Sequence, residues 1–332
     1  MRILITGISG FLGGHLARKL AQAGHLVVGL DLSDLPEHTP AEEFVRGDVT
    51  DPEACSQAVS GCHAVFHLAA RLGDWGPAES YLRVNVGGTR TLLEAAKAAG
   101  VRRFVLMSSV AIHHYGPGIP DGNEETPADG SMNAYALSKL LAERTVRARA
   151  APMEWTIVRP AVFPFGPGDE TGFGPLARAL RRGLVPLVSG GRARLTTAYA
   201  GNLAEGLMLV LQPAGANQVF VLGDDEPVTW TDLLVRIARR IGAPRPRLSL
   251  PFRPLLQAAR LTERLWSHLP LDTPPPITTY RVLLAGGDVC FFSRKAQQLL
   301  GFRPAVSLDQ ALDETAAWFL GRSSRFTPRR TP

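Results

Sequence analysis

Tyr135 and Lys139 stand four residues apart in NAYALSKLLAE (133–143), in a chain with only four lysines and five tyrosines. Residues i and i+4 share one face of an α-helix, so a phenol and an ammonium project together from a helix read over 131–149. A cation beside a phenol stabilises phenolate and lowers its pKa from the reference value of about 10. The hydroxyl then becomes a usable proton donor and acceptor near neutral pH. Lysine suits this role better than arginine, because its charge is compact. The plain alternative is an exposed helix pair with no task.

The elements that must position the pair are legible upstream. Short apolar runs at 3–6, 26–30, 65–69, 104–107 and 156–158 read as buried strands, and helical patterns fill 10–23, 52–59, 78–99 and 131–149. Strand–helix alternation predicts a parallel sheet covered on both faces. Right-handed crossovers bring every strand C-terminus to one edge, where ligands bind. After Pro160 the rhythm changes. PFGPGDETGFGP (164–175) reads as a loop, followed by helices at 175–182, 202–211, 229–241, 252–269, 293–300 and 307–320 and a strand at 218–222.

ITGISGFLGG (5–14) follows the first strand and opens the first helix, with Gly7, Gly10 and Gly13 in a GxxGxxG spacing. A turn without Cβ atoms lets backbone amides approach a pyrophosphate, and the helix N-terminus favours its charge. Ser9, Phe11 and Leu12 belong to the same cradle. Asp31 ends the second strand, where a carboxylate accepts from both ribose hydroxyls and repels a 2′-phosphate, so NAD is expected rather than NADP. Asp31 could instead cap a turn. Asp48, with Val49 in RGDV, closes the third strand and either meets the adenine amine or simply makes a turn.

The predicted fold class is therefore α/β: a Rossmann-type doubly wound parallel sheet with a smaller, mostly helical C-terminal substrate lobe. Residues 1–160 form the cofactor domain, with 195–222 returning to it; 161–194 and 223–322 form the substrate lobe, and 323–332 a flexible tail.

Composition narrows the function classes. The 332 residues are 45% hydrophobic and 20% charged, as expected of a soluble globular protein with a large core. A net charge of +6, carried mainly by arginine, favours anionic cofactors, acidic substrates or a membrane surface. No basic run interleaves with aromatics, so no nucleic-acid partner is expected. Cys55, Cys62 and Cys290 form no CxxC, and His113-His114 has no ligating company, so neither a disulfide frame nor a metal site is read. A reducing cytoplasm is the default. No run reaches the eighteen apolar residues of a spanning helix, and MRILITG reads as a strand rather than a signal peptide.

Taken together, TGISGFLG (6–13), RGDV (46–49), HLAA (67–70), NVGGT (85–89), SSV (108–110), YALSK (135–139) and RP (159–160) resemble, in order and spacing, the extended short-chain dehydrogenase/reductase superfamily. Within it the chain is similar to the 3β-hydroxysteroid and sterol-4-carboxylate dehydrogenases and to the 2-alkyl-3-oxoalkanoate reductases. DWGPAESYLRVNVGGT (74–89), DEPVTWTDLLVRIARRIG (225–242) and SRKAQQLLGFRPAVSLDQALDETAAWF (293–319) carry that likeness. The resemblance implies Tyr135 as acid/base, and Lys139 as the residue that holds the nicotinamide ribose and depresses the phenol. It implies Ser109 as donor to the substrate oxygen, with Ser108 as its rival. Leu68, Ala69 and Ala70 would line the cofactor by backbone contact, Asn85 would order a helix and a water near Lys139, and Pro160 and Val162 would flank the nicotinamide. It also implies a homodimer through two helices of the cofactor domain.

Three positions depart from nucleotide-sugar enzymes of the superfamily: Val162 replaces an asparagine, VFPFGP (162–167) is one residue longer than usual, and Gly201 replaces an aspartate before Asn202. In 253–269, Leu255, Leu256, Ala259 and Trp266 share one helical face and Arg253, Gln257, Arg260 and Arg264 another. Such a helix packs its apolar stripe on the core, covers an apolar pocket, or rests on a membrane. The sequence thus predicts an NAD-dependent oxidoreductase of an apolar secondary alcohol or ketone, 3β-hydroxysteroid-like or a long-chain 3-hydroxy or 3-oxo acid. A nucleotide-sugar epimerase or dehydratase with the same site is the second reading, and a catalytically silent NAD-binding module the third.

Overall fold

A computed structural model describes residues 1–116, 118–269 and 273–325, with side chains to residue 321. The first half runs β1 (Arg2–Thr6), α1 (Phe11–Gln22), β2 (Leu26–Asp31), β3 (Glu43–Arg46), α2 (Pro52–Val59) and β4 (Ala64–His67). It continues with α3 (Ala78–Tyr81), a π-helical stretch (Leu82–Gly88), α4 (Thr89–Ala98), β5 (Arg103–Met107), β6 (Ile119–Gly122), α5 (Ala134–Arg149) and β7 (Glu154–Pro160). Next come β8 (Phe163–Phe165), α6 (Phe173–Arg181), β9 (Leu187–Val188), β10 (Arg194–Tyr199), α7 (Ala200–Leu209) and β11 (Gln218–Leu222). The chain closes with β12 (Pro227–Thr229), α8 (Trp230–Arg240), β13 (Ser249–Leu250), α9 (Phe252–Trp266), α10 (Thr279–Gly286), β14 (Val289–Phe291), α11 (Arg294–Leu300) and α12 (Leu308–Arg325).

Seven strands form one sheet in the order β11-β7-β5-β4-β1-β2-β3, parallel at every junction. The order reverses beside β1, so the C-terminal ends of β1 and β4 open a crevice at the switch point. Strands buried on both faces read as continuous apolar runs, and β5 is buried at all five positions. One core lies between the sheet and α1 and α7, with Ile3, Leu16, Phe66 and Phe220; the other lies under α2, α4 and α5, with Leu4, Leu93, Phe104 and Val146.

Three details differ from the sequence reading. The helix expected over 78–99 changes to π-helical winding at Leu82–Gly88. Gly88 permits this close approach: a Cβ there would stand 2.7 Å from the Val49 side chain. The C-terminal half carries, beside its helices, short strands the sequence reading did not mark: β8, β10, β12 and β14 join β6 of the first half in a second, mixed sheet. Its strands are mostly three to six residues long and too short for a clear alternation. Finally, β11 (218–222) pairs with β7 in the large sheet, whereas β10 (194–199) belongs to the small one. Of the expected tail, 323–325 continue α12 and 326–332 lie outside the described residues. No helix among the described residues is long and apolar enough to cross a membrane, and no group of His, Cys, Asp and Glu among them is arranged to hold a metal.

Candidate active site

α5 places the chemistry-bearing side chains. Asn133 caps it, its Oδ1 accepting from the Ala136 amide at 2.8 Å, so the helix begins at Ala134, three residues later than expected. From there Tyr135, Lys139 and Glu143 descend at i, i+4 and i+8. The Lys139 ammonium is 3% exposed and donates to the Met107 carbonyl, at the end of β5, at 2.8 Å. Burial draws its pKa down to about 8, with Glu143 pulling the other way. Burial also pushes the Tyr135 phenol up to about 12, opposed by a hydrogen bond with the Ser109 hydroxyl. The expectation of a depressed phenol is therefore corrected for this geometry. One of the three ammonium donors goes to a backbone carbonyl, and burial is the largest influence on the phenol.

The two serines separate cleanly. Ser109 reaches Tyr135 and also accepts from the Ala111 amide at 3.1 Å. Ser108 is 2% exposed and donates to Glu143 at 2.6 Å. Glu143 in turn takes two bonds of 2.8 Å from the Arg159 guanidinium on β7. This pair, 5% and 2% exposed, fastens β5, α5 and β7 beneath the site. Ser108 is thus committed to structure. Glu143 ends the same NAYALSKLLAE stretch, and its i+4 spacing from Lys139 was the signal available for it.

A chain of hydrogen bonds links the glycine turn to Tyr135. The Ala69 amide donates to Thr6 Oγ1 (3.2 Å), which pairs with His67 Nδ1 (2.8 Å). His67 Nε2 pairs with Thr89 Oγ1 (3.0 Å), which donates to the Asn85 carbonyl (2.6 Å). Because Thr89 donates to Asn85, these bonds require a proton on His67 Nε2. Burial, followed by the charge of Lys139, holds His67 down to about 3, so it stays neutral. Asn85 then donates to Ser138 Oγ (2.8 Å), which donates to the Tyr135 carbonyl (2.7 Å). Asn85 also grips both backbone groups of Arg71.

The glycine turn fits a dinucleotide. Gly7 adopts φ +74°, and a Cβ on Gly13 would stand 2.2 Å from the Gly7 carbonyl oxygen. Gly10 caps α1 without a side-chain acceptor, and the first turn, with Phe11 and Leu12, holds no acid. An anion therefore meets the positive end of α1 unopposed by a neighbouring carboxylate. Asp31 accepts from the Ser9 and Ser33 amides at 3.0 and 2.9 Å, which is the turn-cap alternative, yet a carboxylate has about four acceptor sites, so room for ribose remains. Asp48 takes the Thr50 amide at 2.9 Å, the geometry of a turn aspartate. Val49 puts its side chain into the core rather than the crevice. Leu68, Ala69 and Ala70 form the opposite rim, with Ala69 N 2.8 Å from where a Gly7 Cβ would lie. Pro160 ends β7 on the same sheet edge, and Val162 packs between two core clusters below it.

A pocket of about 250 Å³ opens on Tyr135, lined by Asp74, Trp75, Gly76, Tyr81, Met132, Asn133 and Glu263 among others. Tyr81 meets Tyr135 edge-on at 6.4 Å between ring centroids, and Arg71 lies over its face at 5.1 Å. The Tyr115 and Tyr280 rings meet at a tilt of 43°, 5.8 Å between centroids, their hydroxyls pushed up by burial. Asp74 is held by Thr278 and Arg281, and Glu263 by Thr279. The sequence reading missed this wall, because residues about two hundred positions apart meet only in the folded chain.

A parallel sheet with a switch-point crevice, a glycine cradle and a Ser-Tyr-Lys site defines a dinucleotide-dependent oxidoreductase fold. Residues 3–223 match the NAD dependent epimerase/dehydratase family, and the chain belongs to it. It is 32% identical over 322 residues to the 2-alkyl-3-oxoalkanoate reductase of Stenotrophomonas maltophilia, covering 94% of this chain and 97% of that one. It is 33% identical over 345 residues to a 3 beta-hydroxysteroid dehydrogenase/Delta 5-->4-isomerase of Mycobacterium tuberculosis, covering 96% and 90%. Among solved structures, MoeE5 in complex with UDP-glucuronic acid and NAD superposes with a TM-score of 0.76 at 25% identity, covering 97% of this chain and 100% of that one. The chain is an NAD-dependent oxidoreductase of the extended short-chain type.

Proposed function

We propose that the protein interconverts an apolar secondary alcohol and its ketone, of the 3β-hydroxysteroid or long-chain 3-hydroxy/3-oxo acid kind that its relatives' names describe. The observation that carries this is Tyr135, whose phenol is influenced by the Ser109 hydroxyl and which lines a pocket with Trp75, Tyr81 and Met132 beside the polar Asp74, Asn133 and Glu263. Bound NAD supplies the hydride acceptor or donor. Tyr135 exchanges the proton of the carbinol, Ser109 donates to the substrate oxygen as charge develops, and Lys139 holds the nicotinamide ribose. Gly7, Gly10 and Gly13, with Ser9, Phe11 and Leu12, cradle the pyrophosphate, and Asp31 receives the adenosine ribose. Leu68, Ala69, Ala70, Pro160 and Val162 border the nicotinamide, while Asn85 positions Tyr135 through Ser138. Asp74 and Glu263 in the pocket wall disfavour the diphosphate of a nucleotide sugar.

In this reading residues 1–160, joined by 218–222, bind the cofactor, and the remainder of the C-terminal half shapes the substrate site. The protein works in the cytoplasm as a homodimer paired through helices of the cofactor half, with a peripheral membrane contact. The test is a panel of sterols, 3-hydroxy acids and UDP-sugars offered with NAD and with NADP, followed by absorbance of the reduced cofactor. Steady turnover of an apolar alcohol with NAD is expected. Epimerisation of UDP-sugars without net cofactor reduction, or a clear NADP preference, overturns the reading.

A further inference from the structure

An apolar substrate is scarce in water, and α9 contributes Glu263 to the pocket that would receive it. The inference here rests on that substrate reading and extends it to a partner. α9 has three faces. Phe252, Leu255, Leu256, Ala259 and Trp266 point inward with Glu263, yet Ala259 alone is fully buried. A second face, Arg253, Gln257, Arg260 and Arg264, is exposed and polar. The third, Pro254, Ala258, Leu261 and Leu265, advances by steps of four, three and four along one side of the helix and is also exposed. Leu261 and Leu265 are 59% and 58% exposed, and Leu269 just beyond is 48% exposed.

The charge around this face is one-sided. Residues 243–269 hold Arg245, Arg247, Arg253, Arg260 and Arg264, all exposed, and a single acid, Glu263. Glu263 is turned inward onto the amide and hydroxyl of Thr279. Arg253, Arg260 and Arg264 therefore line the side of α9 next to an exposed leucine stripe, and Arg245 and Arg247 precede it in the chain. An apolar stripe flanked by arginines matches the acyl boundary and headgroups of an anionic bilayer.

We propose that the outer face of α9 docks on an anionic phospholipid surface, which sets the substrate pocket against the membrane from which an apolar substrate partitions. Leu261, Leu265 and Leu269 enter the acyl boundary, and Arg253, Arg260 and Arg264 bind headgroup phosphates. The inward face stays on the pocket, through Glu263.

The test is co-sedimentation of the full chain with vesicles of phosphatidylcholine, alone or with about half phosphatidylglycerol. Binding to the anionic vesicles alone, weakened by salt, is expected. R253Q/R260Q/R264Q lowers the partition coefficient about a hundredfold, at about fivefold per arginine, and L261S/L265S abolishes binding. Both variants keep wild-type turnover of a water-soluble ketone. A wild-type protein that stays in the supernatant, or a triple-arginine variant that sediments like wild type, overturns the proposal. So does a dimer that L261S/L265S dissociates without any vesicle binding, which would assign the face to a second copy. Vesicle binding needs no turnover, so an inert enzyme that still sediments refutes the substrate reading alone.

Discussion

α5 and α9 wall the same pocket, one with Tyr135 and the other with Glu263, yet they are held very differently. α5 buries Ala136, Ser138, Lys139, Leu140, Ala142, Glu143 and Val146, and its polar members are bonded to β5, β7 and the π-helical stretch. α9 buries Ala259 and leaves two faces to solvent. Proton transfer tolerates only small displacements of an acid/base, and the helix that carries the proposed one, Tyr135, is fixed from several sides. A helix that shelters an apolar ligand needs only rough placement.

The contrast can be broken most sharply at Tyr135. Tyr135→Phe is expected to lower kcat about 10²–10⁴-fold while NAD titration and melting temperature stay near wild type; retained turnover would move the proton's route elsewhere. Glu143→Leu leaves Arg159 buried without its partner, and urea unfolding should show a loss of roughly 3–5 kcal/mol. Lys139→Met should act in the opposite direction. A lysine drawn down to about 8 when folded, against about 10.4 unfolded, binds fewer protons in the native state, so it burdens the fold at pH 7. The variant should gain roughly 2–3 kcal/mol there despite its loss of cofactor affinity. That advantage should shrink as pH rises from about 8 to about 10.5, where wild type sheds the buried charge. Denaturant titrations at pH 7 and pH 10 measure the difference. Asp74→Asn, on the α9–α10 side, loosens a pair whose arginine is half exposed. It should change stability by about 1 kcal/mol or less and raise KM for an apolar substrate severalfold with kcat unchanged.

Legibility in the sequence follows the same division. The strands of the large sheet are continuous apolar runs, and the glycine turn, Asp31 and the Tyr135–Lys139 spacing are local patterns, so each can be read from adjacent residues. The β8, β10, β12 and β14 strands are held by partners distant in the chain and carry little pattern of their own. Ser108 and Ser109 are neighbours of one chemical type. Only Glu143 and Arg159, arriving from α5 and β7, decide which of them is committed to the frame.

The sequence by itself determined the glycine turn of the crevice and the shared helix face of Tyr135 and Lys139, because glycine sterics and helical periodicity act over a few residues. The tertiary structure alone decided the state of the charges within it. The ammonium turned to the Met107 carbonyl and the phenol raised to about 12 both result from burial, a property of the assembled core. It alone also decided that Leu261 and Leu265 of α9 face outward: the sequence picked out the stripe of Leu255, Leu256, Ala259 and Trp266, and only packing shows that a second apolar stripe stays uncovered.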